Sequence, residues 1–223
     1  MTKKIICIDG VEGTGKSTTV EKLKEYFSSQ NISHAVVKFP SYMEDGVLSK
    51  CIRERLFTPS SVPMRQNIID FALLFTDALF NYQKAIDLIN RDTDVVICDR
   101  SIISNIVYQY RVISKVDDDI DDIVLQILET VCYILNQLGN NKLYTVILQA
   151  STDVIHKRLS LRNKNNTQNI LNINRLDELA EIFNEDTQIF TNYRKLISPI
   201  KYIDTSINDA DAVVESILTY TMK

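Results

Sequence analysis

The octet Gly10-Val11-Glu12-Gly13-Thr14-Gly15-Lys16-Ser17 matches the pattern GxxxxGK[ST], and it follows the apolar run Ile5-Ile6-Cys7-Ile8. A stretch with helical spacing begins at Ser17 and stays periodic through residues 19–30. Strand, glycine-rich turn and helix start, in that order, are the context in which this pattern forms a phosphate-binding P-loop. Three of the chain's five glycines fall here, which argues for one special turn. Glycines let successive N–H groups wrap an anion while the helix N-terminus adds a favourable dipole. Lys16 is then expected to supply a point charge to the β and γ phosphates of ATP, and Ser17 a hydroxyl to Mg²⁺. Gly10, Gly13, Thr14, Gly15 and Thr18 complete the expected ATP contacts.

A strand feeding a P-loop constrains the rest of the chain. Short β-branched runs at 4–8, 34–39, 94–98, 143–148 and 200–203 alternate with stretches of helical period at 47–57, 64–90, 104–114, 120–138, 152–162, 175–197 and 209–222. Ile120, Ile123, Ile127, Val131 and Leu135 illustrate the three-and-four spacing. Strands alternating with helices imply a parallel sheet with right-handed crossovers. The expectation is an α/β, three-layer P-loop NTPase fold: a five-stranded parallel sheet flanked by helices. With 223 residues, 45% of them hydrophobic, and no linker, residues 1–223 read as a single domain. The Asn-rich segment 163–174 reads as a mobile loop within a lid at about 158–176.

Partners and compartment follow from charge and cysteine spacing. A formal net charge of −4 argues against nucleic acid, and no apolar run is long enough for a membrane span or signal peptide. Cysteines at 7, 51, 98 and 132 form no CxxC pair, which fits a reduced, cytoplasmic protein. The acidic run Asp117-Asp118-Asp119 with Asp121-Asp122 reads as a solvated loop and helix start rather than a metal site.

A P-loop alone leaves kinases, GTPases, ATPases and sulfotransferases open. The third strand narrows the field, because Val95-Val96-Ile97-Cys98 runs into Asp99-Arg100-Ser101. Ligands of open α/β sheets bind at the carboxyl edge of the strands, so a carboxylate and a guanidinium stand where they can act. Asp99 can hold the Mg²⁺ shell or Lys16, and Arg100 can clamp a second phosphate.

Residues 99–109, Asp-Arg-Ser-Ile-Ile-Ser-Asn-Ile-Val-Tyr-Gln, resemble the DRYxxSxxAYQ signature of thymidylate kinases, with Ser101 for tyrosine and Val107 for alanine. Glu12 in the P-loop, Phe39-Pro40, Phe75, Arg158 and Arg162, and Ile203-Asp204-Thr205-Ser206 fall in the order of that family. The resemblance spans essentially the whole chain. It implies transfer of the γ-phosphoryl of ATP to dTMP, with Mg²⁺, by a homodimer whose partners are these nucleotides. Carried over by position, Arg100 grips the acceptor phosphate, and Glu12 lies near the sugar hydroxyl and the metal with Ser17 and Asp99. Phe75 stacks on the base, Asn105 faces it with Gln109, Tyr108 packs under the sugar, and Ser104, Phe39 and Pro40 belong with them to the substrate-binding set. Arg162 and Asp204 belong on the ATP side. The catalytic set is Lys16, Asp99, Arg100, Arg158 and Arg162.

The chain also departs from that family. Leu79 stands four residues after Phe75, where relatives usually carry an arginine that reads the base, and Ser41-Tyr42 follow Phe39-Pro40 where many carry an arginine. Gly13 occupies the P-loop position that holds a catalytic arginine in some members, so the missing charge is expected from Arg158, Arg162, Lys164 or Arg175 around the lid. Two alternatives stay open: a deoxynucleoside or broader dNMP kinase, and a non-catalytic nucleotide-binding module. Against the first, Glu44 and Asp45 are poorly placed to deprotonate a 5′-hydroxyl; against the second stand the intact Lys16, Ser17, Asp99 and Arg100.

Overall fold

The computed structural model describes residues 3–41, 46–57, 68–113, 120–162, 176–184 and 188–222. Five strands, β1 (Lys4–Asp9), β2 (His34–Lys38), β3 (Val95–Asp99), β4 (Lys142–Gln149) and β5 (Ile200–Asp204), pair in parallel in the order β2-β3-β1-β4-β5. The expected five-stranded parallel sheet is therefore present, each strand lying within a residue or two of its sequence bounds. Because the chain leaves β1 for the β2 edge and returns through β3, then resumes on the other side at β4, a crevice opens at the carboxyl ends of β1 and β3. The register pairs Ile8 with Asp99, which brings the P-loop and Asp99-Arg100 side by side.

Period-2 alternation sends successive side chains of the central strands to opposite faces. Ile5, Cys7, Val96, Cys98 and Ile147 join one buried cluster, and Ile6, Ile8, Val95, Ile97, Val146 and Leu148 join the other. Every residue of β1 is buried, as an apolar run covered on both faces requires. The second face is covered by α1 (Lys16–Ser29), through Val20, Leu23 and Phe27, and by α9 (Ala210–Thr221), through Val213, Val214 and Ile217. The first face carries α3 (Ile68–Asn90), α4 (Ile102–Ile113), α5 (Ile120–Leu135), α6 (Thr152–Arg162), α7 (Leu176–Asn184) and α8 (Gln188–Leu196). The short α2 (Val47–Phe57) packs on α3.

Boundaries shift where polar residues hide the period. α1 begins at Lys16, because Lys16-Ser17-Thr18 form a polar first turn that no apolar pattern reveals. α5 ends at Leu135 in a 3₁₀ turn, Asn136–Leu138, closed by Gly139 at φ +58°. The stretch expected as one helix at 175–197 contains α7 and α8, and residues 185–187 between them lie outside the described residues. So do Tyr42, Glu44 and Asp45, Asp117–Asp119, and residues 163–175 with Lys164 and Arg175, which include the centre of the expected lid. No helix among the described residues is long and apolar enough to cross a membrane.

Candidate active site

A cavity of about 650 Å³ opens at the crevice between β1 and β3. Its wall unites Glu12 through Thr18 with Asp99, Arg100, Arg158 and Thr205. Its floor is the P-loop, which bends through Gly10, Gly13 and Gly15 at φ +135°, +88° and +94°. Gly10 is also sterically required, since a Cβ there would lie 2.3 Å from the Leu148 carbonyl oxygen, while one on Gly13 would press on Ile155 Cγ2 of α6 at 3.1 Å, a side chain that can give. The cradle thus depends on the bare backbone passing β4.

The α1 N-terminus is suited to an anion. Gly15 at its N-cap offers no side-chain acceptor and its first turn holds no carboxylate, so the dipole and the first-turn amides are left to a ligand. Lys16 is buried and donates to the carbonyls of Gly10 (3.0 Å) and Val11 (2.8 Å). Burial first, then neighbouring Arg100, lower its ammonium from 10.5 to about 7, against the pull of Asp99, Asp9 and Glu12. A cation so destabilised fits a triphosphate, whose charge would restore its proton. Binding of the Mg²⁺–nucleotide at pH 8 should therefore take up close to one proton, and markedly less at pH 6, where Lys16 is already charged. Calorimetry in buffers of different ionisation enthalpy measures this, with Lys16→Arg as the variant that should show no such pH-dependent uptake. Equal uptake at both pH values would contradict it.

Ser17 and Asp99 share the cavity wall, a hydroxyl and a carboxylate of the hard oxygen kind that Mg²⁺ takes. Among the described residues no group of three or more His, Cys, Asp or Glu could hold a metal by itself. This donor set suits an ion shared between protein and phosphates.

Arg158 reaches the cavity from α6 with its guanidinium already engaged. Nη1 donates to Gly13 O (3.2 Å) and Thr205 Oγ1 (2.9 Å), and Nη2 to Thr205 O (2.7 Å). Thr205 Oγ1 lies 3.0 Å from Thr14 O and Thr205 N donates to Gln149 O (2.8 Å). One arginine therefore ties α6, the P-loop and the end of β5 together, and its charge stands beside Gly13. The side chain of Arg162 lies outside the described residues. Asp204 is exposed and accepts from Ser206 N (2.7 Å); its neighbours Thr205 and Asn208, not Asp204, line the cavity.

Lys16 and Arg100 place two cations beside one cavity at adjacent strand ends, and whole-chain comparison decides the family. The thymidylate kinase family model matches residues 8–207. The chain belongs to the thymidylate kinase family. A thymidylate kinase of Rickettsia canadensis is 26% identical over 212 residues, 95% of each chain. A probable thymidylate kinase of Methanosphaera stadtmanae is 33% identical over 106 residues, 47% of this chain and 52% of the relative. In that stronger match, as in the 47% of a Symbiobacterium thermophilum relative, the chain spans about half the relative's length. The solved thymidylate kinase of Candida albicans superposes with a TM-score of 0.67 at 21% identity, covering 99% of this chain and 92% of that one; at that identity the likeness concerns the fold.

The remaining residues of the thymidylate kinase signature stand on α3 and α4, beyond the wall that holds the P-loop. Arg100 bridges the two regions: its guanidinium carbon lies 5.2 Å from the Tyr108 ring centroid. Among the described residues Gln109 Oε1 is buried without a hydrogen-bond partner, while Tyr108 interacts with Arg100. Asn105 is buried and donates Nδ2 to Leu74 O (2.8 Å). Phe75 is half-buried and stacks parallel to Phe71 at 6.2 Å, and Leu79, one turn on, packs against the core. Phe39 is buried edge-on to Tyr82 at 5.1 Å, and Pro40 follows it through a cis peptide.

Three contributors were not expected as site residues. Asp9, at the end of β1, is fully buried and accepts from the hydroxyls of Ser101 and Ser104. Its position directly before Gly10, at a strand's carboxyl edge, was the available signal. Asp77 of α3 accepts from Ser41 N (3.0 Å), the Ser41 hydroxyl and Asn81 Nδ2 (2.9 Å), tying the exit of β2 to the helix that carries Phe75. The third, Thr205, shows no local signal for its bonds to the P-loop.

Proposed function

We propose that this chain transfers the γ-phosphoryl group of ATP to dTMP, giving dTDP, with Mg²⁺. The observation that carries the reading is the pairing, at one sheet crevice, of the P-loop cradle with Arg100, in a chain of the thymidylate kinase family. An acceptor phosphate is already a nucleophile at neutral pH, so positioning and charge neutralisation suffice without a general base. The P-loop amides and Lys16 hold the donor phosphates, and Arg100 orients the acceptor. An acceptor phosphate oxygen forms the new bond to the γ-phosphorus as the bond to the β-γ bridging oxygen breaks, and ADP leaves with that electron pair. Lys16 neutralises charge as it shifts toward the bridging oxygen. Ser17 and Asp99, with Glu12 nearby, would hold Mg²⁺, which when bound supplies further neutralisation of the phosphates. Arg158 fixes the P-loop from behind through Gly13 O and lends its charge to the wall where some relatives carry a P-loop arginine.

On the acceptor side, Phe75, Asn105, Tyr108 and Gln109 supply stacking and hydrogen bonds to base and sugar, with Leu79 in place of a cationic reader. A site that hydrogen-bonds a base edge rejects analogues strongly, whereas an apolar wall discriminates by only about 1–3 kcal/mol. A coupled ADP-release assay across dTMP, dUMP, dCMP, dGMP and free thymidine tests both points. Turnover should be highest with dTMP, with dUMP lower by roughly 10–100-fold at most by the apolar-wall estimate, and Leu79→Arg should widen that gap. Preference for thymidine over dTMP would indicate a nucleoside kinase. Strict dTMP preference unchanged by the substitution would show that another residue reads the base.

The protein is proposed to act as a cytoplasmic homodimer. Four free thiols fit a reducing compartment, and Phe80 and Tyr133, 68% and 76% exposed on the mutually packed α3 and α5, offer aromatic surface for a second copy.

A further inference from the structure

Beneath Arg100 lies a carboxylate that no step of this transfer uses. Asp9 is fully buried, and among the described residues no Lys or Arg nitrogen pairs with it directly. Its partners are two hydroxyls, Ser101 Oγ and Ser104 Oγ. Each serine relays the contact onward. Ser101 stands just before α4 and accepts the N–H of Ile103 at 3.2 Å, capping the helix. Ser104 accepts from Arg100 Nη1 at 3.3 Å, and the same nitrogen lies 3.5 Å from Gly10 O.

Arg100 needs such support. Its φ of +77° is unusual for a residue with a side chain. Its backbone is held by Arg100 N to Ile8 O (2.9 Å) and, next door, Phe39 N to Asp99 O (3.0 Å), but nothing in that pair of bonds aims the guanidinium. Burial raises the Asp9 carboxyl above its ordinary value, against the opposing pull of the Ser101 and Ser104 hydroxyls and of the Arg100 and Lys16 charges. As a carboxylate it accepts from both serine hydroxyls, which turns their lone pairs outward, one toward the α4 amide and one toward Arg100. A neutral amide at position 9 would face one hydroxyl with an N–H, and that hydroxyl would have to rotate away.

We infer that Asp9, acting through Ser101 and Ser104, is a positioning residue that aims the Arg100 guanidinium and fixes the start of α4. Its contribution to catalysis as acceptor-phosphate affinity rests on the transfer proposed above; its effect on Arg100 does not.

The test therefore has two readouts. In NMR spectra of the nucleotide-free protein, the Nε–Hε resonance of Arg100, identified by its loss in Arg100→Lys, should be sharp in the wild type and broadened or shifted in Ser104→Ala and Asp9→Asn, with Ser104→Thr close to wild type. In steady-state kinetics Ser104→Ala should raise the dTMP KM about tenfold with the ATP KM changed less than twofold, and should cause no further loss of kcat/KM when added to Arg100→Ala. An Arg100 resonance unchanged in a folded Ser104→Ala protein overturns the inference, as do equal losses from Ser104→Ala with and without Arg100. If Asp9→Asn does not fold, the Ser104 pair alone decides. A wild type that transfers phosphoryl to no deoxynucleoside monophosphate, with the NMR effect intact, removes the proposed reaction and leaves the positioning role standing.

Discussion

Lys16→Ala is expected to fold and to lose turnover by roughly 10²–10³-fold or more, as when one preorganised donor is removed from a water-poor site. The ammonium is poised in the cavity by two carbonyls, Gly10 O and Val11 O. It is the cationic side chain that enters the cradle from the P-loop itself. Truncation leaves those carbonyls with one donor fewer, but it also removes a cation that burial disfavours, so the two stability terms oppose each other. Circular dichroism should show an unchanged fold while the ADP-release assay shows kcat nearly abolished. A folded variant retaining comparable activity would remove Lys16, and the P-loop chemistry with it, from the mechanism.

Gly10→Ala should damage both stability and activity. The added Cβ would meet Leu148 O at 2.3 Å and Thr14 Oγ1 at 2.9 Å, at a φ of +135°. The threonine can turn aside. The carbonyl belongs to the backbone of β4, the paired neighbour of β1, and cannot, so either the loop entrance or the strand must move. A destabilisation of about 2–4 kcal/mol is expected from strain and overpacking together, and misplacement of the cradle by about 1 Å should cost roughly 10²-fold in kcat/KM for ATP. Gly15→Ala is the informative comparison: among the described residues, its chain neighbours aside, no atom lies within 4 Å of where its methyl group would sit, so backbone strain at φ +94° is the main cost, about 1–2 kcal/mol. Denaturant unfolding and kinetics of the two variants side by side measure the difference. Equal effects would show that conformation, rather than the approach to β4, makes glycine necessary at position 10.

Much of this protein was legible before folding. The run Ile5–Ile8, the glycines at 10, 13 and 15, and Lys16-Ser17 are contiguous, and a P-loop is made by local backbone geometry. The five strands follow from short β-branched apolar runs, because a sheet covered on both faces buries its central strands throughout, and most helices follow from the 3.6 period that burial on one face imposes. Asp99 and Arg100 could be placed because an apolar strand delivered them to the sheet's ligand-binding edge. Roles for Phe75, Asn105 and Tyr108 came from resemblance rather than from pattern, since an aromatic on an amphipathic helix looks alike whether it meets a base or a core.

What the chain order could not reveal is which distant groups hold the site in shape. Arg158 lies 145 residues from Gly13, Thr205 lies 191 from Thr14, and Ser101 lies 92 from Asp9, so no window along the sequence contains both ends of these bonds. Arg158 read alone is a lid charge, and only its three acceptors reveal a brace behind the P-loop. Asp9 read alone is the last residue of a strand; its burial under two serine hydroxyls exists only once β1 and β3 are paired in register. Local pattern specifies the elements because their hydrogen bonds and periods span a few residues, while the directions of Arg100 and Arg158 are set by contacts that form only when the crossovers bring separate strand ends together.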